Sequence, residues 1–95
     1  MKAAIYATII AIGDLQAGKT AEEKEWEKRQ VVIIPQDSEK KIAVDFFGKE
    51  KVKAVEQFKV GEKALVTFDV YSREYNGKYY TQCDGWKIES ATAKG

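Results

Sequence analysis

Hydrophobic and polar positions alternate along this chain with a period that changes from segment to segment. Ala3–Ile12 is a nearly continuous apolar run, rich in Ile and Ala, that stops at Gly13-Asp14. It predicts a largely buried strand. Gly13–Glu23 is polar and contains glycine, the composition of a mobile connection between two strands. Trp26–Ile34 predicts the next strand, closed by the turn cluster Pro35-Gln36-Asp37-Ser38. Lys41–Phe47 places Ile42, Val44 and Phe46 on one side and Lys41, Ala43, Asp45 and Phe47 on the other. That period of two marks a half-buried strand. After Gly48, Lys49–Phe58 spaces Val52, Val55 and Phe58 at a near-helical interval among Lys and Glu. This predicts a short amphipathic helix, with Gly61 near its C′ position. Ala64, Val66, Phe68 and Val70 then alternate again as a fourth strand.

The sharpest local signal is Tyr75-Asn76-Gly77-Lys78. Asn-Gly between two strand-like runs favours a two-residue type I′ hairpin, which fixes the register. Tyr75 then faces Lys78, Arg73 faces Tyr80, Tyr71 faces Gln82 and Val70 faces Cys83. Phe68, Val70, Cys83 and Gly85 share a core-facing side, and Tyr71, Arg73, Tyr75, Lys78 and Tyr80 share the other. The same register sets Asp69 opposite Asp84, and like charges there are unfavourable. A β-bulge near Gly85, re-aiming Trp86 and Ile88, is the expected relief. Three strands, a helix and two more strands make an all-β module. That order fits a five-stranded OB-fold Greek-key barrel with one short helix between strands three and four, spanning 1–95 as a single domain.

Composition narrows the chemistry. The 95 residues hold 16 Lys+Arg against 15 Asp+Glu, no His and one Cys. A chain of this length buries about two-thirds of its unfolded surface, enough for a modest core without staples. The missing His excludes His-based catalysis, and one Cys excludes an internal disulfide framework and a protein-built zinc finger. The net charge of +1 argues against indiscriminate coating of duplex DNA. Ala3–Ile12 is too short to span a bilayer and lacks the flanks of a signal peptide. With a free Cys, this points to the cytoplasm.

One motif suggests different chemistry. Gly13-Asp14-Leu15-Gln16-Ala17-Gly18-Lys19-Thr20 fits G-x-x-x-x-G-K-[ST], in which backbone N–H groups wrap phosphates, Lys reaches the β/γ oxygens and Thr holds Mg²⁺. Two facts oppose a nucleotide site. From Ala21 to Gln30 the only large apolar residue is Trp26, so a following helix would have no face to bury. A phosphate-loop fold also needs a parallel sheet with long crossovers, whereas the connections here are short.

The aromatic pattern points elsewhere. Tyr71, Tyr75 and Tyr80 share a hairpin face with Arg73 and Lys78; Trp26 shares one with Lys28 and Gln30, and Phe47 one with Lys41. Aromatic faces stack on unpaired bases, and neighbouring cations neutralise phosphates. Aromatics are equally common in strands for packing. Phe46, Phe68 and Tyr6 are expected in the core, while Tyr79 and Trp86 suit core or groove. Glu22, Glu23, Glu50, Glu56 and Glu62 fall in loops or beside the helix, but Asp45 and Asp69 break the segregation of charge.

Glu25-Trp26 with Lys28, Lys40–Val44, Phe47-Gly48, Val60-Gly61-Glu62, Ser72–Tyr80 and Trp86-Lys87-Ile88-Glu89 resemble a family of small bacterial and phage proteins. That family was long catalogued as a domain of unknown function and is similar to bacterial single-stranded-DNA-binding proteins with an OB-fold. The resemblance implies sequence-tolerant binding of single-stranded DNA, often as a homodimer or homotetramer; single-stranded RNA offers the same stacking chemistry, and neither enzymatic activity nor a cofactor is expected. Its groove aromatics fall on Trp26, Phe47 and Tyr80. The chain departs from the family in having Cys83 and Asp84 where an aliphatic and a basic residue are usual. It closes on Ser90–Gly95 rather than on an acidic tail with an apolar tip. Alternatives are a protein-interaction module in a replication or repair assembly, the phosphate-loop nucleotide binder, and a Mg²⁺ nuclease built on Asp45, Asp69 and Asp84.

Overall fold

The eleven-residue strand β1 (Lys2–Ile12) serves two neighbours. In the computed structural model, which describes residues 2–91, Lys2–Thr8 pair antiparallel with β5 (Lys63–Tyr75), and Ala7–Ile12 pair antiparallel with β3 (Glu25–Pro35). Ala7 and Thr8 pair with both strands, and a bulge between Ile9 and Ala11 interrupts the β3 ladder just beyond that overlap. The remaining elements are β2 (Gln16–Lys19), β4 (Ile42–Phe47), α1 (Lys49–Val55) and β6 (Lys78–Ser90). Residues 92–95, the end of the tail noted above, lie outside the described part.

The ring β1–β3–β4–β6–β5 closes on itself through β1. All its contacts are antiparallel except β4–β6, which run parallel and are joined at one pair, Asp45 with Asp84. Alternation explains the interior. Ala7 and Ile9, Val31 and Ile33, Val44 and Phe46, and Ala64, Val66 and Phe68 are the inward positions of successive strands, and all are buried. Ile88 completes the set from β6, and α1 covers one end with Val52 and Val55. Each fully buried side chain of this size contributes about 1.5–3 kcal/mol.

The hairpin register follows the expectation from Asn76-Gly77 pair for pair, from Tyr75–Lys78 down to Val70–Cys83, with Asp69 opposite Asp84. Asn76 and Gly77 both take positive φ, 53° and 80°, as a type I′ turn requires. The bulge is also present. Phe68 pairs with Gly85 and Thr67 with Lys87, so Trp86 has no partner opposite. Gly85 is required by packing, because a Cβ there would collide with the Phe46 ring.

Three expectations are corrected. There are six strands, not five, and the helix lies between the fourth and fifth. The extra strand, β2, forms a hairpin with β3 in the segment read as a loop. It buries almost nothing, so no apolar alternation announces it. The helix ends at Val55, short of Phe58, and Gly61 (φ 98°) makes a later turn whose N–H donates to the Ile9 carbonyl. Tyr6 is not core but 54% exposed. It sits between Ile5 and Ala7, and a strand whose odd positions face inward turns its even ones to solvent. Among the described residues no helix is long and apolar enough to cross a membrane.

Candidate functional site

Because Val31 and Ile33 point inward, Trp26, Lys28 and Gln30 point outward from β3. The β3–β4 register sets Lys28 beside Phe47 and Gln30 beside Asp45. Lys28 Nζ lies 5.4 Å from the centre of the Phe47 ring, within cation–π reach. Trp26 pairs with Gly18 of β2, and a Cβ at Gly18 would fall 2.9 Å from the indole. The glycine of the phosphate-loop pattern therefore makes room for Trp26, which keeps 40% of its surface exposed.

That pattern holds no phosphate cradle. Gln16–Lys19 is a strand paired with β3, and a tight turn follows in place of a helix. Thr20 Oγ1 accepts hydrogen bonds from the N–H groups of Glu22 and Lys24 at 3.3 and 3.2 Å, and Glu23 takes φ 61°. The hydroxyl the motif would need for Mg²⁺ is tied into the hairpin turn. Arg29, on the inward side, anchors the base of this region. It donates to the Gly13 carbonyl and to Glu56 Oε2, both at 2.9 Å, linking β3 to the β1–β2 connection and to the end of α1.

On the far side of the face, β5 and β6 run past the barrel as a two-stranded arm. Among the described residues the pairing of β1 with β5 runs as far as Lys2–Asp69, and every residue from Tyr71 to Thr81 is exposed. Tyr71, Arg73, Tyr75, Lys78 and Tyr80 share the outward side, while Glu74 and Tyr79 are paired on the other. Arg73, Tyr75, Tyr80 and Gln82, with Glu74, line a shallow cleft of about 310 Å³.

Between these two groups lies a polar network that sequence reasoning missed in part. Gln82 Nε2 donates to Asp45 Oδ2 and to Asp84 Oδ1, each at 2.9 Å. Gln30 Nε2 donates to Asp45 Oδ1 at 3.2 Å, and the Tyr71 hydroxyl donates to Asp84 Oδ2 at 2.6 Å. Lys28 Nζ is 3.8 Å from Asp45 Oδ2. The hydrogen bond to Asp84 is the main cause raising the Tyr71 pKa above its ordinary value, with desolvation and the Asp84 charge adding to it. Desolvation first, then the charges of Asp84 and Asp45, raises the Cys83 thiol. The Asp69–Asp84 register announced this acidic spot, but Gln30 and Gln82 gave no signal. Their role arises from the β4–β6 crossing, which no local pattern encodes. Among the described residues no group of three His, Cys, Asp or Glu side chains is arranged to hold a metal. Asp45, Asp69 and Asp84 therefore do not form the centre a Mg²⁺ nuclease needs.

Two further residues sit apart. Trp86, turned out by its bulge and 52% exposed, lines a cleft of about 230 Å³ with Phe46, Glu50, Lys51 and Ala54, and Lys2 Nζ stands 4.0 Å from its ring centre. It belongs to the α1 side of the barrel. Lys41 is exposed just ahead of β4, at the end opposite Phe47. The structure thus brings together Trp26, Lys28 and Phe47 as one group. It brings together Tyr71, Arg73, Tyr75, Lys78 and Tyr80 as a second on the same outward face.

A family model described as a domain of unknown function (DUF3127) matches residues 4–89. The chain belongs to that family. No curated protein matches the sequence. Among solved structures, the fold is similar to the second OB-fold domain of replication protein A from Methanococcus maripaludis. The TM-score is 0.72 at 14% identity, covering 97% of this chain and 85% of that one. It is also similar to the mitochondrial single-stranded DNA binding protein of S. cerevisiae, with TM-score 0.67 at 12% identity and coverage of 96% and 95%. A third likeness is to the small single-stranded DNA-binding protein of Streptomyces coelicolor, with TM-score 0.54 at 11% identity and coverage of 100% and 97%. This member of the DUF3127 family therefore has an OB-fold, the barrel its element order implied, with β2 added to the five strands of the ring.

Proposed function

We propose that this protein binds single-stranded DNA with little regard to sequence and performs no chemistry on it. Bases stack on Trp26 and Phe47 at one end of the outward face and on Tyr75 and Tyr80 of the arm at the other. Lys28, Arg73 and Lys78 take the phosphates, and Lys41 adds to them at the edge. The supporting observation is the placement of the exposed aromatics with Arg73, Lys78 and the half-buried Lys28 on one face of a barrel that closes behind them. A flat aromatic side chain serves every base, because each has a π-face, and stacking is worth about 1–3 kcal/mol per base. The fold likeness to the S. cerevisiae and Streptomyces coelicolor proteins, both described as single-stranded DNA binding, agrees with this use of the face. Self-association as a homodimer or homotetramer is part of the same reading, and sedimentation of the free protein measures it.

Titration with oligo-dT, followed by Trp fluorescence at several salt concentrations, tests the proposal. Trp26 should be quenched. With two to four phosphates neutralised, log K should fall with log salt at a slope of about −1.5 to −3. Trp26→Ala should weaken binding by about 5- to 150-fold, the equivalent of one stacked base. Absence of binding at low salt, or equal affinity for duplex, refutes it.

A further inference from the structure

The proposed binding face is not uniformly basic. At the single rung that joins β4 to β6, Asp45 and Asp84 stand side by side, and Asp69 lies opposite Asp84 on β5. Gln82 bridges the first two carboxylates, Gln30 holds Asp45 and Tyr71 holds Asp84. These partners are neutral, so they fix the carboxylates in place without cancelling their charge. Lys28 offsets Asp45 in part from 3.8 Å. The Asp45 side chain is only 14% exposed, so salt screens its field less than that of a free surface charge. Phe47, Lys28 and Trp26 lie on one side of this seam, and Tyr80, Lys78 and Arg73 lie on the other.

We infer that Asp45 and Asp84 are specificity-determining residues that keep phosphate off the middle of the face, an inference that rests on the reading of the face as a single-strand binder. A single strand can rotate its backbone bonds. It crosses the seam with a base toward the protein, leaving its phosphates over Lys28 on one side and over Arg73 and Lys78 on the other. A duplex carries its phosphates on the outside in a fixed geometry and holds its bases turned inward, so it meets the carboxylates with charge of the same sign. The seam is a repulsive element that separates two ligands the cations alone would both attract.

The test uses the shortest oligo-dT that binds with full affinity, carrying one uncharged methylphosphonate linkage that is moved along the strand. With the native protein, a neutral linkage at most positions should weaken binding. At the crossing position it should leave binding unchanged or tighten it. The variant Asp45→Asn/Asp84→Asn should bind the unmodified strand about three- to tenfold tighter, gain affinity for duplex, and lose the exceptional position. A circular-dichroism melt confirms its folding. Should the double variant not fold, Asp84→Asn with the linkage scan on native protein decides the matter. A uniform scan, or a folded variant with unchanged affinity for strand and duplex, overturns the role of the seam while leaving single-strand binding intact. Absence of strand binding by the native protein at low salt overturns both.

Discussion

Gly85→Ala tests how tightly the barrel is closed behind the binding face. A Cβ at this position would meet three carbons of the Phe46 ring closer than any real contact allows. Neither partner can retreat easily. Phe46 is fully buried among the core residues, and the Gly85 backbone is held by its rung to Phe68 next to the Trp86 bulge. Inserting a methyl into a packed core costs about 1–3 kcal/mol, and the absence of slack places this case at about 3 kcal/mol. For a domain of this size that lowers the melting temperature by about 12–24 °C. Phe46→Leu alone removes part of a fully buried ring and should cost about 1–2 kcal/mol. Because it vacates the space that the added methyl needs, the double variant should be more stable than the sum of the two changes implies. Denaturant melts of the four proteins form the cycle, with a coupling of about 1 kcal/mol or more expected. A Gly85→Ala loss below about 0.5 kcal/mol, or strict additivity in the double variant, would refute the reasoning.

Two other predictions concern the site. The pKa of Tyr71 is raised by its bond to Asp84 above the ordinary 10.0, so its contribution to stability is fully present below that pH and is lost as pH rises through the folded-state value. A spectrophotometric titration should lose one component, ionising above 10.0, in Tyr71→Phe, and the Tyr71 transition should move down in Asp84→Asn. Equilibrium dialysis with Mg²⁺-ATP should show no saturable binding; saturable binding abolished in Lys19→Ala would establish the phosphate site that the hairpin geometry contradicts.

Much of the fold was legible where local chemistry determines it. Asn76-Gly77 can form a two-residue turn only in one register, so every pair of the arm followed from it. The bulge beside Gly85 is where it was expected, but not for the expected reason: it lies between Gly85 and Lys87 and leaves Asp69 paired with Asp84, so it does not relieve the charge conflict. Two elements escaped for different reasons. Strand β2 is held by backbone pairing to β3 and presents no buried face, so the hydrophobic pattern is silent there. The preference of aromatics for strand interiors points Tyr6 inward, but the parity of Ile5, Ala7 and Ile9 sends it outward. Of the site, the aromatics and cations were visible as period-two stripes. The division of the face by Gln82 and the two carboxylates was not. It depends on β4 and β6 meeting at one residue pair, a contact between segments with no adjacent sequence.

The double duty of β1 has a consequence for how the chain is made. Ribosomes deliver β1 first, and the hairpins β2–β3 and β3–β4 can close around one of its edges as they emerge. The other edge must wait, because Ala3 pairs with Phe68 and Lys2 with Asp69. Until that half of the message has been read, an apolar strand stands with a row of unpaired backbone groups, the kind of template on which other chains assemble. The vulnerable species in a cell is thus the half-synthesised polypeptide. Slower translation beyond the helix should therefore prolong that exposure and lower yield without altering the stability of the finished barrel.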